Sequence, residues 1–158
     1  MLRKDREISN RQDIIEILKK CNTLRIGFQG KEYPYLVPVS FGIKADENQC
    51  VLYFHGAQKG LKIDLIKKHK NICFESDIFY HIDKLPYGIT AKYESVIGIG
   101  EIQKVQGNEI IEGLKAICGH YGITDFDIGQ CNNLTFTDVY KIIVKSMTGK
   151  HNLPKMQS

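Results

Sequence analysis

Residues 51–64, VLYFHGAQKGLKID, pose the first chemical question. An apolar strand breaks at His55, passes Gly56, Lys59 and Gly60, and enters a helical pattern at Lys62. A phosphate is held by backbone N–H groups that it can approach closely and by one or two ammonium groups. Glycine permits the approach because it has no Cβ. A helix N-terminus adds partial positive charge. The stretch is not a Walker loop: Leu61 stands where a glycine belongs before the lysine, and Ile63 replaces Ser/Thr. The same residues also allow a plain turn with solvated lysines, continued by Lys67, Lys68 and Lys70.

Two further stretches could line a site. In PYLVPVSFGI, residues 34–43, Pro34 and Pro38 flank an apolar strand. Proline cannot donate to a ladder, so this strand belongs at an edge, bulge or rim. There the backbone near Val37 and Val39 could meet the polar rim of a flat ligand, or the prolines could simply protect an edge. In KYESVIGIGEI, residues 92–102, Ser95 enters an otherwise apolar strand, and Gly98 and Gly100 share one face. That bare face suits a close neighbour or a barrel bend. His55, His69, His81, His120 and His151 show no metal-ligand spacing, and Cys118-x-His120 is isolated. His120 and His151 read as surface residues; His55 alone adjoins a candidate site.

The elements that must position these residues follow from periodicity. A helix is expected from about Ser9, with Ser9 and Gln12 at capping-box spacing and Ile14, Ile15, Leu18 and Cys21 on one face. Two strands around Gly30-Lys31 follow, then a third strand, CVLYFH. A short helix over residues 60–69 points Leu61, Leu65 and Ile66 inward. NICFESDIFYHI is a fourth strand, residues 83–91 a loop, and KYESVIGIGEIQKV a fifth strand. Gly107-Asn108 opens a third helix bearing Ile110, Ile111, Leu114, Ile117 and Cys118. Residues 119–133 read as irregular, and VYKIIVKSMTGK as a sixth strand. Strands that follow one another without crossover helices imply a mainly β protein, an antiparallel closed or split barrel with peripheral helices. No linker or repeat interrupts residues 1–158, so a single domain is expected.

The 158 residues carry 22 basic and 18 acidic side chains, a net charge of +4. That mild excess suits small anionic ligands and does not call for nucleic acid. No apolar run reaches membrane-span length, and the charged N-terminus has no apolar h-region behind it, so a cytoplasmic protein is expected. Cys21, Cys50, Cys73, Cys118 and Cys131 are odd in number and scattered, and read as reduced, mostly buried thiols. Asn133-Leu134-Thr135 fits a glycosylation sequon that has no use without secretion.

Taken together, RKDREI, PYLVPVSFGI, LYFHGAQKGLKIDLI, ICFESD, YESVIGIGEI and SMTGK occur in an order that resembles the nitroimidazole-resistance (Nim-like) proteins. These belong to the pyridoxamine 5′-phosphate oxidase-like superfamily of FMN-binding split barrels. The resemblance spans residue 3 to about residue 150. It implies a six-stranded antiparallel split β-barrel and a homodimer with FMN at its interface. It further implies that Lys62, with Lys59 and Gly60, holds the FMN phosphate. Val37, Pro38 and Val39 would run beside the isoalloxazine ring. Phe54 and His55 would close the ribityl side, Ser95 would line the pocket, and Lys150 would reach a phosphate from the partner chain. His55 would lie nearest the substrate, as proton donor or stacking wall. The implied activity is an FMN-dependent oxidoreductase acting on a nitroaromatic or another small electrophile.

The chain departs from its look-alikes at Gly56, where many have Ser, and at Leu61, where many have Arg or Lys. Its end, SMTGKHNLPKMQS, lacks the Arg-rich motif of true pyridoxamine-phosphate oxidases, which argues against vitamin B6 oxidation. A non-catalytic flavin- or haem-binding barrel stays open as an alternative, with His55, His120 or His151 as the axial haem ligand. So do deazaflavin or pyridoxal phosphate in the same pocket and a pyridoxamine-phosphate-oxidase-like enzyme.

Overall fold

A computed structural model describes residues 3–130 and 136–153. Cys131 and the sequon at Asn133 lie outside the described residues. The elements are β1 (Glu7–Ile8), α1 (Arg11–Lys20), β2 (Leu24–Phe28), β3 (Tyr35–Val39), β4 (Phe41–Ala45), β5 (Cys50–Ala57), α2 (Leu61–Lys68), β6 (Asn71–Leu85), β7 (Gly88–Lys104), α3 (Glu109–His120) and β8 (Thr137–His151). All strand pairs are antiparallel, in the order β3-β2-β6-β7-β8-β5-β4, with β1 added to the end of β8. The two ends of this path, β3 and β4, are separated in the chain by Ser40 alone. The sheet therefore curls until its edges meet and leaves the barrel split there.

Eight strands stand where six were expected. The expected second strand bends at Ser40 into β3 and β4, and the two-residue β1 is too short to show periodicity. The expected loop over residues 83–91 is instead strand on both sides of a Pro86-Tyr87 turn, with Leu85 opposite Gly88. Pro86 and Gly88 suit a loop as well as a tight turn, and the turn needs only the two residues Pro86 and Tyr87. In α1 the cap is Asn10, not Ser9: its side chain accepts from the backbone N–H of Gln12 (2.8 Å) and Asp13 (3.4 Å). In α2 the buried residues are Ile63, Leu65 and Ile66, while Leu61 faces solvent. The third helix continues to His120, through residues expected to be irregular.

Two apolar clusters explain why β5 reads as one continuous apolar run. Leu52 and Phe54 point into the barrel with Ile26, Phe41, Phe74, Val96, Ile102, Tyr140 and Ile142. Val51 and Tyr53 point outward under α3, against Val105, Ile117 and Val139. Both faces are covered, so alternation disappears from the sequence. Gly98 and Gly100 also resolve as barrel geometry. A Cβ on Gly98 would overlap the Phe74 ring, and one on Gly100 would lie 2.7 Å from Ile142 Cγ2, beside an irregularity in the β7–β8 ladder.

At the barrel end near α1, Glu94 is buried and its Oε2 accepts from Lys20 Nζ (2.6 Å) and the Tyr80 hydroxyl (2.6 Å). Burial opposes its ionisation, yet these two partners hold the carboxyl below its ordinary value. A depressed carboxylate stabilises the fold above its unfolded pKa and loses that contribution as pH falls through the folded value. Glu94→Gln is therefore expected to cost about 2 kcal/mol at neutral pH, with Lys20 half exposed and weakening the pair. The gap to wild type should be full above the ordinary glutamate range and narrow as pH falls below it, through the depressed folded value. Urea titrations of both proteins at three pH values check this; a pH-independent gap contradicts it.

Candidate functional site

The inner row of β5 runs Leu52, Phe54, Gly56, and its outer row runs Tyr53, His55. Gly56 leaves the inner row vacant at the barrel mouth, and Lys62 fills the vacancy. A Cβ on Gly56 would lie 2.8 Å from Lys62 Nζ. The ammonium also sits 5.3 Å from the centroid of the Phe54 ring, a favourable cation–π placement. Phe54 in turn stacks on Tyr140, with centroids 5.4 Å apart and planes 16° off parallel. Phe54 is fully buried, so it acts on the site by supporting Lys62 rather than by closing over a ribityl chain.

Lys62 is half-buried, and no carboxylate pairs with it among the described residues. Burial pushes its pKa down. His55, at the end of the outer row and open to solvent on one side, is pushed down by partial desolvation and then by the Lys62 charge. Gly60 caps α2 at φ 122°, a conformation that favours glycine, with nothing within 4 Å of where a Cβ would stand. The N–H groups of Ile63 (2.9 Å) and Asp64 (3.1 Å) bond the Gly60 carbonyl. Those of Leu61 and Lys62 open the helix, where no intrahelical acceptor exists. A half-buried cation without a carboxylate partner among the described residues, two helix-terminal N–H groups and a glycine-cleared approach fit a phosphate. They do not single out the molecule that carries it.

The remaining expected residues fall into two other groups. Val37 and Val39 lean on the barrel core and Pro38 faces out. Their strand pairs only with β2 among the described strands, which puts both prolines on or beside an edge. Ser95 and Lys150 are cross-strand partners on the outer face of β7 and β8. His55 pairs with Val139 on β8. Lys150 stands eleven positions further on, roughly 36 Å along a strand. Lys62 and Lys150 of one chain therefore do not meet on one ligand. Lys59 is exposed in the turn.

A protein-family model described as pyridoxamine 5′-phosphate oxidase matches residues 10–151, nearly the whole barrel. The chain belongs to the pyridoxamine 5′-phosphate oxidase family. A provisionally named 5-nitroimidazole antibiotic resistance protein from Bacteroides thetaiotaomicron is 25% identical. That likeness covers 91% of this chain and 85% of the other at a TM-score of 0.79. A flavocytochrome from Azotobacter vinelandii is 15% identical over 93% of this chain and 69% of its own, TM-score 0.73. An FAD and haem binding protein from Mycobacterium smegmatis is 11% identical over 93% and 73%, TM-score 0.74. The last two share the fold. Among curated proteins, no sequence matches this chain.

Within this oxidase-family barrel, several residues have roles the sequence concealed. His120 is not a plain surface residue: its Nε2 lies 2.7 Å from the Cys21 carbonyl and its ring 4.4 Å from Phe41. It ties α3 to the end of α1. His151 is half-buried beside Glu94, its partner across the ladder. The three histidines considered for haem thus lie on separate elements. Cys21 and Cys50 are buried, Cys118 half-buried and Cys73 exposed, all as free thiols. No helix among the described residues is long and apolar enough to cross a membrane. Arg6 and Tyr93, which periodicity did not single out, join Lys150 in a cationic group at the end of β8.

Proposed function

We propose that this family member binds FMN at the β5–α2 junction and uses it to reduce a nitroaromatic or another small electrophile. The observation that carries the reading is Lys62: a half-buried ammonium with no carboxylate partner, held against Gly56 at an uncapped helix N-terminus. Burying a cation without a counter-charge is costly, and an incoming phosphate offsets that cost. The likeness to the nitroimidazole-resistance protein favours the substrate class.

In this reading Lys62 and the N–H groups of Leu61 and Lys62 anchor the phosphate, with Gly60 clearing the approach and Lys59 adding an outer charge. The open edge of β3 at Val37, Pro38 and Val39 borders the ring. Bound flavin supplies the electron transfer. His55, its proton affinity lowered by partial desolvation and the Lys62 charge, forms a wall beside the ring; a phosphate dianion at Lys62 raises that affinity and readies it as a donor.

The site is completed by a second copy of the chain. Phe79, Ile97 and Ile99 form an exposed apolar stripe on the outer face of β6 and β7, beside Ser95. Such a stripe marks an interaction surface. A two-fold dimer through this stripe lets Lys150 serve the other chain's phosphate.

The test is an anaerobic titration of the reduced, FMN-loaded protein with a nitroimidazole. The expected result is return of the oxidised flavin band in step with added compound. Bound flavin that is reduced yet stays reduced across a panel of nitro compounds would sink the substrate assignment. Sedimentation velocity reports the dimer separately.

A further inference from the structure

A second unpaired cationic group sits on the outer face, away from Lys62. The register Glu7–Lys150–Ser95 runs across β1, β8 and β7 and brings Arg6, just before β1, beside the end of β8. Lys150 Nζ lies 5.8 Å from the centroid of the Tyr93 ring. Arg6 approaches the same phenol from β1. Neither cation belongs to an ion pair among the described residues. Arg3 is taken by Asp5 at 2.6 Å, and Asp77, opposite Ser95, by Arg25 at 2.6 Å. Glu7, opposite Lys150, is exposed and pairs with neither. Arg6 Nε is buried with no hydrogen-bond partner. The guanidinium reaches the Tyr93 phenol while its Nε stays idle, and a carboxylate or phosphate accepts from Nε and Nη together.

We infer that Arg6, Tyr93 and Lys150, with Ser95 alongside, form an oxyanion seat for the carboxylate or phosphate of a small molecule. The phenol and the Ser95 hydroxyl supply neutral donors between two cations, and a turn of the half-exposed Arg6 side chain brings Nε to the ligand. Two sources share this chemistry: the phosphate of a flavin presented by a second copy, and a free substrate anion. The seat deepens the dimeric flavin reading, since Lys150 serves both.

Tyr93 reports its occupancy. Burial raises the phenol, but Arg6 and Lys150 outweigh it and hold the phenol below its ordinary value. An anion seated between them cancels that effect and returns the phenol upward. The tyrosinate absorbance of Tyr93, taken as wild type minus Tyr93→Phe, is titrated in sodium chloride and in inorganic phosphate at equal ionic strength. The expected result is an upward shift in phosphate of about one pH unit, a ten-fold change in proton affinity. Lys150→Gln should abolish the shift. Arg6→Lys, which keeps the charge but loses Nε, should reduce it. Equal titrations in the two salts, or a phosphate shift that both variants retain, overturn the seat. Repeating the titration on FMN-loaded protein separates the sources. If FMN alone gives the phosphate-saturated value, the flavin phosphate is the occupant; if phosphate still shifts Tyr93, the seat serves a free anion. A phosphate shift in a protein that binds no flavin removes the flavin reading and leaves the seat standing.

Discussion

Lys62→Met should release flavin and leave the apoprotein more stable than wild type. Loss of the ammonium removes one charge-assisted contact to phosphate, about 1.5–3 kcal/mol, or roughly 10- to 150-fold in affinity. The same ammonium is half-buried without a carboxylate partner, so an apolar side chain of similar length over Phe54 removes an uncompensated charge. Affinity and stability therefore move in opposite directions, as expected where a site stores cost for its ligand. Fluorescence titration with FMN and thermal melts of the apoproteins read the two effects. Lower stability of Lys62→Met would show that the lysine is structural, and unchanged affinity would place the phosphate elsewhere.

The pH dependence has a definite sign. Burial depresses the Lys62 pKa below its unfolded value. Between the two values the unfolded chain binds more protons, so the apoprotein gains stability as pH rises through that window toward roughly 10.5. Lys62→Met lacks this gain. Bound phosphate also removes it, because the cation is then paired.

The clustering of Gly56, Gly60 and Lys62 was legible because it is local: they fall within seven positions, and a strand-to-helix junction needs no distant partner. The family resemblance rests on the same locality, in motifs kept in order. What resisted reading depended on the third dimension. Leu61 looked like a core residue of α2 because apolar side chains at i and i+4 suggest one face; the helix rotates instead to bury Ile63. The resemblance implies that Phe54 closes the ribityl side with His55, but alternation along β5 sends its ring into the barrel, under Lys62. The Gly98/Gly100 pair could mean a ligand or a bend, and only Phe74, brought across from β6, decides for the bend. Arg6 carried no signal beyond its place in the RKDREI motif, since its partners Tyr93 and Lys150 lie about ninety and one hundred and forty residues away.

Gly42→Ala is expected to give the largest loss of stability. Gly42 lies buried in β4, opposite Tyr53. A Cβ there would overlap the backbone of Ala116 and Ile117 in the middle of α3. A clash with helix backbone has no rotamer escape, so α3 must lift from the sheet. Lifting breaks the latch at its C-terminal end: the Tyr121 hydroxyl accepts from Phe41 N–H (3.1 Å) and donates to the Asn22 carbonyl (2.8 Å), and His120 packs on Phe41. The cost should reach about 3 kcal/mol, near the upper range for overpacking. For a chain of this length that lowers Tm by roughly 10 °C. Gly119→Ala is the control: it sits in the same helix, nothing lies within 4 Å of its Cβ, and alanine favours the helix by up to about 1 kcal/mol. Because α3 also backs β5, whose end presents His55 and Gly56, flavin affinity should fall with Gly42→Ala and not with Gly119→Ala. A Gly42→Ala melt within about 1 °C of wild type would mean that α3 does not press on β4 at this point.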